Sequence, residues 1–175
     1  MRLLKLVFAF VLIQRLGFSA DAQTQLGSLP DRGKTPGASL SVNARDVCLP
    51  GYATQVLPVS EPMQRKVFKA YGIENPTPGS YEIDHLISLN LGGSNDPRNL
   101  WPEPATGIEW NAHVKDAFEE RLHERVCRGA INLTAAQRAV SGDWIAAYKQ
   151  FFHTDKPITV PHRTRARHSR RARRR

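Results

Sequence analysis

Apolar and polar residues alternate with a period of two in one stretch of this 175-residue chain, which begins at Tyr81. The apolar positions that share one parity are Ile83, Ile87, Leu89 and Leu91, with His85 among them. Such alternation predicts a β-strand with one face against a core. A dense run of turn-forming residues follows, and Asn99-Leu100-Trp101 is predicted to return as a short strand closed by Pro102 and Pro104. The stretch is therefore predicted to be a β-hairpin.

Helical periodicity is found on both sides of this hairpin. Before it, Ser60-Glu61-Pro62 has the composition of a helix start, and Gly72 is placed to end that helix. The apolar face of this helix comprises Met63, Val67, Phe68 and Tyr71. After the hairpin, a longer helix is predicted from about Ile108 to Arg128. Its apolar stripe comprises Trp110, Val114, Ala117, Phe118, Leu122 and Val126.

Two further helices are predicted beyond this long helix. Thr134 and Gln137 have the spacing of a capping box, and Asp143 is placed to cap a last helix. The residues of the last helix that are expected to pack on the domain are Trp144, Ile145, Tyr148, Phe151 and Phe152. The chain is therefore predicted to belong to the α+β class, mostly helical by content, with one hairpin braced by helices.

The N-terminal residues have the pattern of an export signal. Arg2 and Lys5 precede an apolar run of eight residues, and Ala20-Asp21-Ala22 fits a cleavage site. Spanning a bilayer takes roughly 20 apolar residues, so residues 1–22 are predicted to be a signal peptide rather than an anchor. No membrane anchor is expected after its removal, and the protein is expected in the periplasm or the medium. Residues 23–46 are predicted to be a flexible linker, and residues 47–155 a single domain.

The net charge of +9 is concentrated at the C-terminal end. From Arg163 onward the chain contains eight arginines and no acidic residue, whereas the part between the signal region and this tail is close to neutral. Residues 156–175 are predicted to be disordered, because such a run cannot bury apolar surface. The tail is either a solvated terminus or an electrostatic tether to a polyanion such as nucleic acid.

The hairpin carries three residues with candidate chemistry. The carboxylate of Asp84 is a hard donor that suits a divalent cation, and a neutral His85 can take a proton from water. The carboxamide of Asn99, on the facing strand, could hold the imidazole in one tautomer. Because neighbours on a strand point to opposite sides, Asp84 and His85 can serve one centre only where the strand ends or twists.

The hairpin YEIDHLISLNLGGSNDPRNLWPEP and the helix KDAFEERLHERVCRG resemble the HNH endonucleases, in particular their small secreted members. The resemblance covers about Val47 to Phe152 and implies a ββα-metal core made of the hairpin and the long helix. It also implies that His85 is the general base, that Asp84 is a metal ligand and that Asn99 orients the base.

The third position of this motif lies on the long helix, and its identity stays open. At 100° per residue Asn111 falls beside the apolar stripe and His113 further round, so helical phase favours Asn111 whereas ligand chemistry favours His113. Lys115 is either a partner for a substrate phosphate or half of a solvated ion pair with neighbouring acidic residues. His123 is expected on the surface.

Cys48 and Cys127 are the only cysteines. In an exported protein they are expected to form one disulfide, which would tie the start of the domain to the end of the long helix. The alternative is a pair of buried free thiols. No CxxC pair is present, so the hairpin is not expected to be braced by a zinc knuckle.

Two candidate functions follow from these expectations. The first is a metal-dependent endonuclease that hydrolyses phosphodiester bonds in DNA, with RNA left open as a substrate. Its cofactor would be a divalent ion, foremost Mg²⁺, although Mn²⁺, Ni²⁺ and Zn²⁺ also suit a mixed site of Asp with His or Asn. The second is a non-catalytic exported protein that binds nucleic acid through its arginine-rich tail.

Overall fold

A computed structural model describes residues 27–158. In this part of the chain the helices are α1 (Ala44–Val47), α2 (Glu61–Ala70), α3 (Ala112–Cys127), α4 (Leu133–Ser141) and α5 (Trp144–Phe152), and the strands are β1 (Tyr81–His85) and β2 (Leu100–Pro104). This mixture confirms the predicted α+β class with mostly helical content. No helix between residues 27 and 158 has both the length and the apolar character needed to cross a membrane. The predicted signal peptide and the arginines from Arg163 onward lie outside the described residues.

The two strands form an antiparallel hairpin, as predicted, but both of its predicted boundaries are wrong. The strand β1 ends at His85 instead of continuing to Leu91, and β2 extends through Pro102 to Pro104. In a two-stranded sheet each strand is an edge, so a proline can be accommodated where its missing N–H is not needed by the ladder. The extension of β2 places Glu103 opposite Glu82.

The connection between the strands spans residues 86–99, and it contains the alternating apolar residues that had predicted a longer strand. Its Leu89–Leu91 segment is a 3₁₀ turn, and the turn ends at Gly92, whose φ of 78° favours glycine. Ile87 and Leu91 are 6% and 0% exposed, so the connection inserts apolar side chains into the core without being a strand. Periodicity alone therefore does not distinguish this connection from a half-buried strand.

Two apolar clusters hold the hairpin in place. Helix α2 begins after Ser60 and ends before Gly72, as predicted, and it packs against β2. The buried members of this first cluster are Val67, Tyr71, Leu86, Leu100 and Trp101. The second cluster joins α3, α4 and α5 to the connection, and its fully buried side chains include Leu91, Phe118, Val140, Trp144 and Tyr148. The hairpin is thus packed on both sides.

Two of the later helix starts differ from the prediction, whereas Asp143 caps α5 as expected. Helix α3 begins after Asn111 and not near Ile108, because the Asn111 side chain accepts hydrogen bonds from two backbone N–H groups there. Helix α4 begins after Asn132, whose side chain accepts a hydrogen bond from Ala135 N at 2.7 Å. Gln137 takes no part in a capping box, because its Nε2 donates to the carbonyl of Leu91.

The described part of the predicted linker, residues 27–46, contacts the rest of the fold at several points. Thr35 is fully buried, and its hydroxyl lies 2.7 Å from the hydroxyl of Tyr71. Ser39 forms an isolated antiparallel bridge with Gly93 in the hairpin connection. Hydrogen bonds thus connect this segment, which lacks apolar periodicity, to the hairpin connection and to the core.

Candidate catalytic and cation-binding site

The imidazole of His85 is held by a carboxamide that the sequence did not single out. Nε2 of His85 lies 2.7 Å from Oδ1 of Asn95, and Nδ2 of Asn95 donates to the carbonyl of Leu57 at 2.8 Å. The Leu57 contact fixes which end of the Asn95 amide faces the ring. Nε2 is therefore the protonated nitrogen of a neutral His85, and Nδ1 keeps a lone pair that can accept a proton.

Asn99 has a different role from the predicted one. Its side chain is fully buried, and Nδ2 donates to the carbonyls of Ile87 and Ser94, each at 2.9 Å. Its Oδ1 accepts from the backbone N–H groups of Ile87 and Ala38. With every donor and lone pair of the amide used, Asn99 shapes the connection between the strands, and the contact to the base comes from Asn95.

The residue of α3 that reaches the hairpin is Lys115. Its Nζ lies 2.7 Å from Oδ2 of Asp84, 2.8 Å from the carbonyl oxygen of His85 and 2.7 Å from Oε1 of Glu119. The lysine is fully buried, so neither sequence-based expectation for it is right: it is not a solvated ion pair, and it cannot contact a substrate phosphate. The three N–H donors of its ammonium match the three oxygens.

Neither predicted helix ligand is placed beside Asp84. Oδ1 of Asn111 accepts from the backbone N–H groups of His113 and Val114, at 3.1 and 3.3 Å, so the oxygen is engaged as a helix cap. His113 is exposed, and it lies two residues before Lys115, about 200° away around the helix. Asp84 is placed as predicted, near the end of β1, but its partner on the helix is an ammonium group.

Two buried carboxyl groups complete this part of the site. Glu103 is fully buried on β2, and Glu119 is 4% exposed on α3. Burial raises the pKa of Glu103 well above its ordinary value, and burial also raises the pKa of Glu119 to about 8, although the Lys115 charge opposes both shifts. Burial opposes the ionisation of Asp84, but Lys115 outweighs it and places the pKa of Asp84 below its usual value.

The donor chemistry of this site suits a divalent cation only in part. The predicted set of Asp84 with Asn111 or His113 does not fit, because the oxygen of Asn111 is used and His113 is on the far side of α3. Asp84 itself fits, since its side chain is 21% exposed and its carboxylate is a hard oxygen donor. Both carboxylate oxygens of Glu103 are buried without a hydrogen-bond partner.

A second group of potential ligands surrounds the disulfide. Cys48 and Cys127 are bonded, with Cα atoms 5.6 Å apart, which confirms the predicted pairing. Together with His123 they could hold a metal by proximity alone. Joined sulfurs offer no thiolates, however, so only the reduced protein could use them for this purpose. His123 is half-buried, contrary to expectation, and its Nε2 lies 3.0 Å from the carbonyl oxygen of Val47.

The sequence did not single out Asn95, Glu103 or Glu119. Asn95 lies in a run of turn formers, where an asparagine is expected for backbone reasons. Glu103 lies between two prolines that suggested the end of a strand. Comparison of the chain with protein-family models, with curated proteins and with solved structures yields no match. The resemblance to HNH endonucleases therefore stays a hypothesis carried by the hairpin and helix residues.

Proposed function

We propose that this protein hydrolyses phosphodiester bonds in nucleic acid, foremost DNA, with His85 as the general base. The observation that carries this proposal is the hydrogen-bonded relay from Leu57 through Asn95 to the ring of His85. It places an N–H group of the ring at Nε2, and Nδ1 makes no hydrogen bond among residues 27–158. Orienting a catalytic imidazole in one tautomer is the requirement for proton abstraction near neutral pH.

In this proposal each residue has a defined role within a ββα-metal core formed by β1, β2 and α3. Nδ1 of His85 takes a proton from the water that attacks phosphorus, while Asn95 keeps Nε2 protonated. Asp84 would hold a divalent cation, and such an ion, when bound, neutralises charge on the phosphate. Lys115 fixes the position of Asp84 and the backbone of His85 from the opposite side.

The test is plasmid nicking by the full, disulfide-bonded chain with Mg²⁺ or Mn²⁺, with and without a chelator. We expect His85→Ala to lower the cleavage rate by roughly 10²–10⁴-fold, the usual contribution of a general base. His113→Ala is the matched control, because it removes an exposed imidazole from the same domain and should leave the rate unchanged. Cleavage that survives both His85→Ala and the chelator would refute the proposal.

A second candidate is supported by one specific observation. The Lys115 ammonium already joins Asp84 to α3, in the place where the resemblance implies a metal. A hairpin braced by a lysine needs no cation to keep its shape, so the chain could instead be a non-catalytic nucleic-acid-binding protein that acts through its C-terminal arginines. Removal of residues 163–175 distinguishes the two. Loss of DNA retention with no cleavage by either form favours the binder, and cleavage by the shortened chain favours the enzyme.

A further inference from the structure

Four ionisable side chains meet between the hairpin and α3. Lys115 contacts Asp84 and Glu119 directly, and Glu103 lies beside Asp84 on the same face of the hairpin, because the residues opposite Asp84 and Glu82 are Trp101 and Glu103. Glu103 and Lys115 are fully buried, and Asp84 is the member that reaches the surface. The cluster is therefore enclosed by protein except at the edge of β1.

Glu103 is the member of this cluster whose oxygens face no N–H or O–H donor of another residue, although a protonated Glu103 donates a hydrogen bond to Asp84. Four buried side-chain polar atoms among residues 27–158 lack a hydrogen-bond partner, and two of them are the carboxylate oxygens of Glu103. A buried carboxylate is stable only when it is protonated or faces a cation. The ammonium of Lys115 attracts Glu103 through space but gives it no hydrogen bond, because its three donors are engaged by other oxygens.

The charge of the cluster is compatible with one divalent cation. One ammonium faces three carboxyl groups, so the cluster is neutral when Glu103 and Glu119 are protonated, and it stays neutral when one divalent cation displaces those two protons. Asp84 and Glu103 come from neighbouring strands and offer hard oxygen donors of the kind that such cations prefer. Water could complete the coordination at the exposed edge of Asp84.

We propose that a divalent cation binds between the carboxylates of Asp84 and Glu103, and that Glu103 takes the place of the predicted ligand on the helix. Lys115 lies behind this site, is held by Glu119 and orients Asp84. A site with oxygen donors alone favours Mg²⁺ and Mn²⁺ over Zn²⁺ and Ni²⁺. The catalytic use of this ion rests on the proposed function, whereas its binding does not.

The test measures Mn²⁺ binding to the full oxidised chain without nucleic acid, by electron paramagnetic resonance. We expect Glu103→Gln, which keeps the shape of the side chain, to weaken Mn²⁺ binding by at least about tenfold. Glu82→Gln is the matched control: it lies directly across the ladder from Glu103 but is exposed, so binding should not change. His113→Ala should also bind Mn²⁺ as the unaltered chain does. Equal binding by Glu103→Gln and the unaltered chain would overturn the proposal, as would no binding at millimolar Mn²⁺.

A second measurement on the unaltered chain does not depend on the folding of a variant. Mn²⁺ should broaden the amide resonances of Asp84 and Glu103 at concentrations that leave those of the first turn of α3 sharp. The reverse pattern would overturn the proposed site. Mn²⁺ binding that depends on Glu103 without any cleavage would refute the proposed function alone. Cleavage combined with unchanged binding by Glu103→Gln would refute the cation site alone.

Discussion

Nζ of Lys115 lies 2.7 Å from Oδ2 of Asp84 and connects the first turns of α3 to the end of β1. The same ammonium donates to the carbonyl oxygen of His85, so one buried group positions two consecutive residues of the hairpin. Burial disfavours the charged form of Lys115, but the surrounding carboxyl groups outweigh this effect and raise its pKa well above the ordinary value. The lysine is therefore an integral part of the site.

Replacement of Lys115 by methionine should destabilise the fold. The methionine fills similar volume but leaves the Asp84 carboxylate without its cation and the buried Glu119 carboxyl without its hydrogen-bond donor. Breaking a buried pair in this way costs roughly 3–5 kcal/mol. The measurement is the free energy of unfolding in urea. Lys69→Met, at an exposed position of α2, is the control and should change stability by less than about 0.5 kcal/mol. An equally stable Lys115→Met protein would contradict the integral role of the ammonium.

Stability in the presence of a chelator should fall as the pH rises from about 4.5 to 8. Burial raises the pKa of Glu119 from 4.5 to about 8, so the folded protein holds a proton that the unfolded chain releases in this window. The contribution of Glu119 to stability is complete below the pKa of 4.5 of the unfolded chain, and it is lost above the pKa of about 8 of the folded protein. The raised pKa of Glu103 acts in the same direction. The lowered pKa of Asp84 contributes only below about 3.8.

Urea unfolding at pH 5 and pH 8 measures this effect. One proton that is bound in the folded protein and not in the unfolded chain changes the free energy of unfolding by at most about 1.4 kcal/mol per pH unit. Glu119→Gln should flatten the dependence, because glutamine does not titrate. Glu120→Gln, the exposed neighbour on α3, should leave the slope as it is. A flat dependence across this window would mean that Glu119 ionises in the folded protein as it does in the unfolded chain.

The sequence located the two central residues of the site but not the groups around them. Asp84 and His85 were identified by their side-chain chemistry and by the resemblance, whereas the alternation continued past them to Leu91. The helical spacing was also compatible with a buried Lys115, because Lys115, Phe118 and Leu122 lie on one face of the helix. Its charge and the acidic residue one turn later favoured a solvated pair instead.

Other features depend on tertiary contacts and could not be derived from local pattern. Asn95 becomes a partner of His85 only because the chain before α2 brings the carbonyl of Leu57 close to its amide. Glu103 becomes buried because β2 continues through two prolines. A backbone hydrogen bond from Gly37 to the carbonyl of Arg98 orders residues that have no apolar periodicity.

Asn95→Ala should impair cleavage without unfolding the protein. It removes the acceptor for Nε2 of His85, so the ring loses its fixed tautomer while the backbone connection stays intact. Second-layer partners of this kind are worth about 10–100-fold in activity. Nicking assays and thermal unfolding of the same sample separate the two effects. A fall in the melting temperature as large as that of a core variant would assign Asn95 a structural role instead.

Asn99→Ala should show the opposite pattern and lose stability first. Its Nδ2 donates to the carbonyl of Ile87, and its Oδ1 accepts from the N–H of Ile87. Alanine would leave both of these buried backbone groups without a partner. Each unsatisfied group costs about 1–3 kcal/mol. Gly93→Ala should have a comparable effect, because an added Cβ would overlap the carbonyl of Ile87 and lie 2.9 Å from Nδ2 of Asn99. Urea unfolding of both variants tests whether this connection is as tightly built as its contacts imply.

Removal of the disulfide should weaken the whole domain, because it links α1 to the end of α3. The bond closes a loop of 79 residues, for which the chain-entropy model gives roughly 4–5 kcal/mol. The double substitution of Cys48 and Cys127 by serine avoids a leftover thiol. Its free energy of unfolding should fall by about this amount, and the unaltered protein treated with a thiol reductant should show the same loss.

Cys48 packs against the cluster of α3, α4 and α5, whereas the strands of the hairpin are held by the other cluster and by Lys115. At temperatures well below unfolding, the serine variant should therefore keep its Mn²⁺ binding while it melts earlier. Loss of Mn²⁺ binding in a still-folded serine variant would mean that the disulfide positions α3 against the hairpin, because α3 carries both Lys115 and Cys127. Retained Mn²⁺ binding would mean that Lys115 positions Asp84 without help from the disulfide.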